Sequence, residues 1–200
     1  MSSTALLTPE PRKEVANPGP LGLFGFGLTT VILSLINAGL LPKEATAVVV
    51  PLAFAYGGVA QIIAGALEFK VGNTFGMVAF TSYGLFWWWY ALLLWTLGAG
   101  WLKPPPAAGI ATVLLMWGVF TFLLWIVTFR RSLAVWSIFL LLWITFFLLA
   151  GGDYGYGTGK IGGYIGLLTG IDAILVGFIE VLNATAGKTV IPLGNPIIRS

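Results

Sequence analysis

Few side chains in this sequence have the chemistry to act inside an apolar interior, and their spacing is regular. Histidine and cysteine are absent from all 200 residues, which removes the commonest metal ligand, the near-neutral proton switch and every thiol reaction. What remains is hydroxyls, amides, rings and a central carboxylate. Phe26, Thr30, Ser34 and Asn37 stand at i, i+4, i+8 and i+11, and on a helix they share an arc of roughly 80°. Such a stripe either bonds to neighbouring helices or lines a wet path. Gln61 has Gly57, Gly58, Ala64 and Gly65 as same-face neighbours, so its amide is either glue between close helices or a donor into a cavity. Thr81, Ser82 and Tyr83 place three hydroxyls in one run, ahead of the ring block Phe86-Trp87-Trp88-Trp89-Tyr90. Asp172 lies near the middle of another apolar run. A carboxylate there costs at least about 2.5–3.5 kcal/mol unless it is paired, wetted or protonated. It either couples to protons or bonds to a neighbouring hydroxyl. No acid–base pair, nucleophile–base pair or metal set can be assembled from these groups, so neither an enzyme nor a cofactor or metal site is expected.

A further polar element lies at Asn17-Pro18-Gly19-Pro20-Leu21-Gly22-Leu23-Phe24-Gly25-Phe26-Gly27. Two prolines hold their predecessors extended, so a helix is expected to begin near Pro20 or Leu21. Glycine weakens a helix by roughly 1 kcal/mol relative to alanine. A chain accepts that cost where backbones or a solute must come close. The free N–H groups of this start, beside the Asn17 amide, suit an anion.

The elements that must position these groups follow from composition. The chain is 58% hydrophobic and only 8% charged, against about 25% charged in soluble domains, which places it in a membrane. Six apolar runs are expected to cross as helices, near 21–41, 46–67, 76–99, 107–129, 133–150 and 161–182, since unpaired backbone is intolerable in hydrocarbon. The expected fold is therefore all-α, a six-helix polytopic bundle. Residues 1–16 read as a polar cytoplasmic tail, 17–183 as the transmembrane domain, and 184–200 as a cytoplasmic C-terminal tail. With six crossings, both termini share a side with Arg12, Lys13, Lys70, Arg130, Arg131, Lys188 and Arg199, seven of the ten basic residues. Positive charge favours the cytoplasm, so both termini are expected inside. The basic residues fall singly or in pairs between apolar runs, which does not suit a nucleic-acid partner. In the sixth run Gly162, Gly166, Gly170, Ala173 and Gly177 form a small-residue stripe that invites close helix packing.

Taken together, these residues resemble the acetate uptake transporter family of prokaryotes and their fungal relatives. Asn17 to Leu23 is similar to that family's N-P-A-P-L-G-L signature, with glycine in place of alanine. Tyr56-Gly57-Gly58-Val59-Ala60-Gln61, Ala64-Gly65-Ala66-Leu67-Glu68-Phe69-Lys70, Gly72-Asn73-Thr74-Phe75-Gly76, Phe80-Thr81-Ser82-Tyr83-Gly84, Trp117-Gly118-Val119-Phe120-Thr121 and Glu180-Val181-Leu182-Asn183 also fit, in order across nearly the whole chain.

The resemblance implies a homo-hexamer in the plasma membrane, each protomer with its own path for acetate and other small monocarboxylates, and for succinate. It implies a constriction of Phe, Leu and Tyr. By motif the Phe is Phe26 and the Tyr is Tyr83. Counting on from Trp117-Gly118-Val119-Phe120-Thr121 without a gap assigns the Leu to Leu142, which Leu140 and Leu141 adjoin. Asn17, Gln61, Thr81 and Ser82 are the expected polar contacts for the carboxylate. Asp172 is the candidate for proton coupling, although the family's bacterial members are expected to carry a small neutral residue there. A channel for a neutral solute such as urea or ammonia is the alternative, the family's fungal members being linked to ammonium export.

Overall fold

The computed structural model describes residues 15–198, so Arg12, Lys13, Arg199 and nearly all of the expected 1–16 tail lie outside the described residues. Among the described residues the chain is all-helical. Six helices are long and apolar enough to cross a membrane: α1 Gly19–Asn37, α2 Lys43–Lys70, α3 Thr74–Gly98, α4 Ala107–Thr128, α5 Leu133–Asp153 and α6 Gly159–Ala186.

The helix ends follow local chemistry. Helix α1 starts at Gly19, ahead of the Pro20–Leu21 expected from the prolines. Pro18 itself takes a helical backbone conformation, and the Asn17 side-chain oxygen accepts the Gly19 N–H at 2.9 Å, doing the work of a capping residue. It also stops four residues short of the expected Leu41, because Gly39 adopts φ +75° and turns the chain back. Asn73 caps α3 through the Gly76 N–H at 3.2 Å, as Ser132 caps α5 through that of Val135 at 3.4 Å.

Helix α2 is irregular. It opens with a 3-10 turn at Lys43–Ala45, carries Pro51 inside its first α-helical stretch, and is wound wide as a π-helix over Ala53–Ala60 before regular α-helix resumes at Gln61. Proline removes a backbone donor within the helix, and π-turns are rare and concentrated at functional positions. The wide segment buries Gly57 and Gly58 and delivers Gln61 fully buried.

Packing explains the glycines. Helix α1 lies along α6 over its length, and α5 packs on both α4 and α6, while α2 joins α3 to α1. Midway along this pair Gly27 and Gly170 face each other. A Cβ on Gly27 would sit 2.8 Å from the Gly170 carbonyl oxygen, and one on Gly170 would sit 2.9 Å from that of Gly27. Gly166, Gly170 and Gly177 of the expected stripe face α1, and Gly162 faces Leu148 and Leu149 of α5. Between α3 and α4 the space is filled by rings: Tyr83 and Phe86 both meet Trp117, at 5.9 and 5.1 Å between centroids.

The segment after α6 also departs from a simple tail. The helix runs on to Ala186. The Asn183 side chain then accepts from the N–H groups of Val190 and Ile191 and donates to the Ile191 carbonyl. Two backbone bonds, Ala134 N–H to Leu193 and Ile198 N–H to Phe129, fasten this segment to the corner between α4 and α5. That corner carries Arg131.

Candidate functional site

A cavity of about 280 Å³ opens among the starts of α1, α3 and α5. Successive helices alternate in direction, so α1, α3 and α5 run the same way and the register of each measures depth. Asn17, Asn73 and Arg131 stand at the mouth. The lining then steps inward through Leu23, Phe75 with Ala79, and Val135 with Phe139, and its deepest residues are Phe26, Tyr83 and Leu142. The antiparallel helices α2 and α6 contribute Glu68 and Glu180 at the mouth and Gln61 further in.

The deep end is a neck of apolar surface. Phe26, Tyr83 and Leu142 are 6%, 3% and 3% exposed. The Phe26 and Tyr83 rings are 5.8 Å apart and tilted by 52°, a favourable arrangement for two aromatic quadrupoles. Phe139 stands 6.1 Å from Tyr83 and 5.1 Å from Phe75, continuing the ring wall towards the mouth. Gln61 flanks the neck: its Cγ is 3.4 Å from where a Cβ of Gly25 would be. Its Nε2 donates to the Gly57 carbonyl at 2.6 Å, while its Oε1 has no partner among the described residues.

The mouth is polar and its groups are connected. Arg131 donates to the Asn73 oxygen at 3.1 Å and stacks over Phe75, with its guanidinium carbon 5.2 Å from the ring centre. Asn73 donates to Glu68 at 2.9 Å and Asn17 to Glu180 at 3.0 Å. Both carboxylates converge on the start of α1, where a Cβ on Gly19 would lie 2.9 Å from Glu180 and 3.6 Å from Glu68. The exposed guanidinium can meet an anion at the rim, while the two acids beside it oppose that attraction and rule out tight holding.

Of the residues singled out in the sequence, Phe26, Tyr83, Leu142, Asn17 and Gln61 line this one cavity. Thr81 and Ser82 are not among its lining residues. Thr81 faces α2 instead, its backbone nitrogen 2.8 Å from where a Cβ of Gly65 would be. Asp172 also stands outside the lining, accepting from Ser137 at 2.8 Å. The residues that sequence reasoning left out of the site are Glu68, Asn73, Arg131 and Glu180. Their signal was available: all but Arg131 sit inside the motif segments, and Glu180 is a second acid in the sixth run. One turn beyond the neck, Thr30 and Trp87 are buried with Oγ1 and Nε1 unpartnered among the described residues. The other buried threonines, Thr29, Thr121, Thr128, Thr145 and Thr169, each donate to a carbonyl in the preceding turn. Among the described residues no cluster of three or more metal-ligating side chains occurs.

Comparison with known proteins finds relatives along nearly the whole chain. Residues 2–194 match the model of the GPR1/FUN34/yaaH family. The chain is 41% identical over 183 residues to the "Succinate-acetate/proton symporter SatP" of Escherichia coli strain K12, covering 90% of this chain and 96% of that one. It is 38% identical to the "Ammonia transport outward protein 2" of Saccharomyces cerevisiae, over 90% of this chain and 64% of the yeast protein. Among solved structures, that of the bacterial acetate channel SatP superposes with a TM-score of 0.86 at 41% identity, over 90% of this chain and all of that one.

Proposed function

The chain belongs to the GPR1/FUN34/yaaH family, and on that premise we propose that it is a multi-pass membrane transporter of acetate and other small monocarboxylates, with succinate as a further substrate. Phe26, Tyr83 and Leu142 form its constriction, and Asn17 and Gln61 hold the carboxylate on the way to it. The observation that carries this reading is the convergence of those three side chains, one from each of three parallel helices, at the closed end of a cavity whose mouth is polar.

The chemistry of a two-carbon acid fits that shape. Its methyl end tolerates a wall of rings, and its charged end needs donors before and after the neck. Arg131 provides donors at the mouth, where the amides of Asn73 and Asn17 each keep one N–H beyond that given to Glu68 or Glu180, and the unpartnered Thr30 hydroxyl and Trp87 indole lie beyond. No basic residue lies at the neck among the described residues, which favours weak binding and passage over tight capture. Bulkier monocarboxylates are then disfavoured by the width of the ring-walled neck. Thr81 and Ser82, which do not line the cavity, act at most indirectly in this scheme.

Supporting arguments extend the reading to location and assembly. Six apolar helices and the bias of basic residues favour the plasma membrane with both termini cytoplasmic. The broad apolar outer surfaces, with Trp88, Trp95 and Trp101 exposed, suit lipid and neighbouring protomers of a homo-hexamer. The names of the relatives describe transport and not catalysis, which supports a transporter without enzymatic activity.

Uptake of radiolabelled acetate by proteoliposomes containing the full chain tests the proposal, and absence of uptake above empty liposomes defeats it. The yeast relative's name favours one rival, a channel for a small neutral solute. Osmotic swelling with urea or ammonia, at matched pH, separates the two. Repeating acetate uptake with and without an imposed pH gradient distinguishes a channel from a proton symporter.

A further inference from the structure

Tyr83 is the one constriction residue with a polar atom, and the disposition of its single proton decides what the neck offers a passing acid. Its hydroxyl lies 3.0 Å from the Thr121 Oγ1 on α4. Thr121 is fully buried and does not line the cavity. The same Oγ1 is 2.7 Å from the Trp117 carbonyl oxygen, which can only accept. Thr121 therefore spends its only proton on Trp117, and Tyr83 must be the donor in the bond between them.

Two consequences follow. The phenol proton is already committed, so the neck presents ring faces and aliphatic carbon to the solute and no donor. The ring's tilt is also fixed from behind. Around Tyr83 the other neighbours are rings, Phe26 at 5.8 Å, Phe120 at 5.8 Å, Trp117 at 5.9 Å and Phe139 at 6.1 Å, contacts that are tolerant of small rotations. The bond to Thr121 is the single directional restraint among them.

We propose that Thr121 is a positioning residue for the neck, acting through the Tyr83 hydroxyl to set the aperture and hence the largest acid that passes. This rests on the transport reading above. It makes the specificity of the path depend on a side chain that the solute never touches.

The test is a double-mutant cycle in proteoliposomes with Thr121→Val, Tyr83→Phe and the pair, reading the butyrate-to-acetate uptake ratio. Valine keeps the shape of threonine and loses the acceptor. A lost neutral hydrogen bond of ordinary strength predicts a ratio raised about fivefold in Thr121→Val, with a similar rise in Tyr83→Phe and little further change in the pair. Thr121→Ser retains the hydroxyl and is expected to restore the wild-type ratio. An unchanged ratio in Thr121→Val, or an equal shift when valine is introduced into the Tyr83→Phe background, overturns the proposal. The same cycle read as melting temperature in detergent is independent of transport. Additive shifts there refute the tie, and non-additive shifts support it even if wild-type protein moves no acetate, a result that instead sinks the transport reading.

Discussion

The Ser137 hydroxyl on α5 lies 2.8 Å from a carboxylate oxygen of Asp172 on α6, and 3.0 Å from the Ala134 carbonyl. One proton serves two acceptors, and the carboxylate is the closer. Asp172 is half-buried and stands outside the cavity that holds Phe26, Tyr83 and Leu142. An asparagine at 172 keeps an oxygen for Ser137 and removes the titrating group. The expected outcome for Asp172→Asn is acetate uptake, and its response to an imposed pH gradient, within about twofold of wild type. Abolished gradient response with surviving acetate exchange would instead assign the proton to Asp172.

Leu142 faces the neck with no polar group to satisfy. Shortening it to alanine enlarges the aperture next to the Phe26–Tyr83 pair. Leu142→Ala is expected to raise butyrate uptake relative to acetate by about tenfold, the scale on which a pocket counts methylene groups. Because it borders a cavity, the stability lost should fall at or below the lower end of the roughly 2–5 kcal/mol range of buried leucine truncations. Competition of unlabelled butyrate against labelled acetate measures the first effect and detergent melting the second. Unchanged selectivity counts against Leu142 as a member of the constriction.

Arg131 is exposed at the mouth, bonded to Asn73 and stacked over Phe75. In the proposed scheme its part is to meet anions at the entrance and not to grip them in the neck. Arg131→Gln is therefore expected to raise the half-saturation concentration of acetate about three- to tenfold at low salt, with the maximal rate little changed. The difference should shrink towards wild type as ionic strength rises and the Debye length falls to roughly 8 Å at physiological salt. Initial-rate uptake at two salt concentrations checks both parts.

Much of this arrangement was legible in the sequence because hydrocarbon leaves the backbone so little choice. Uninterrupted apolar runs had to be helices, and the stripe from Phe26 could be placed on one face by spacing alone. The hydroxyl run shows where that reasoning stops. Thr81, Ser82 and Tyr83 are consecutive, each about 100° further round the helix, so one of them facing the neck turns the others aside. Tyr83 takes the lumen and Thr81 the α2 interface. The mouth was only partly legible. Glu68 falls just past the end of an apolar run in the sequence, yet in the fold it is 3% exposed and held by Asn73. The π-wound stretch at Ala53–Ala60 and the fastening of Leu193 and Ile198 to the α4–α5 corner are tertiary outcomes with no periodic signature.

Gly170 tests whether the close approach of α1 and α6 supports the path. A methyl group there would lie 2.9 Å from the Gly27 carbonyl oxygen and 3.0 Å from the Val31 nitrogen, both backbone atoms that cannot move without separating the helices. At Gly177 the nearest atoms are the Leu23 Cβ at 3.2 Å and the Phe24 ring at 3.5 Å; the ring can rotate aside, and the Leu23 Cβ has to give by only a few tenths of an ångström. Alanine for glycine in a helix also returns roughly 1 kcal/mol of propensity. Overpacking costs about 1–3 kcal/mol, so Gly170→Ala is expected to lower the melting temperature in detergent while Gly177→Ala leaves it close to wild type. Gly170 meets Gly27, the residue next to Phe26, so the same substitution should also disturb the butyrate-to-acetate ratio. Equal melting temperatures for the two variants would mean that this crossing is looser than its backbone distances require.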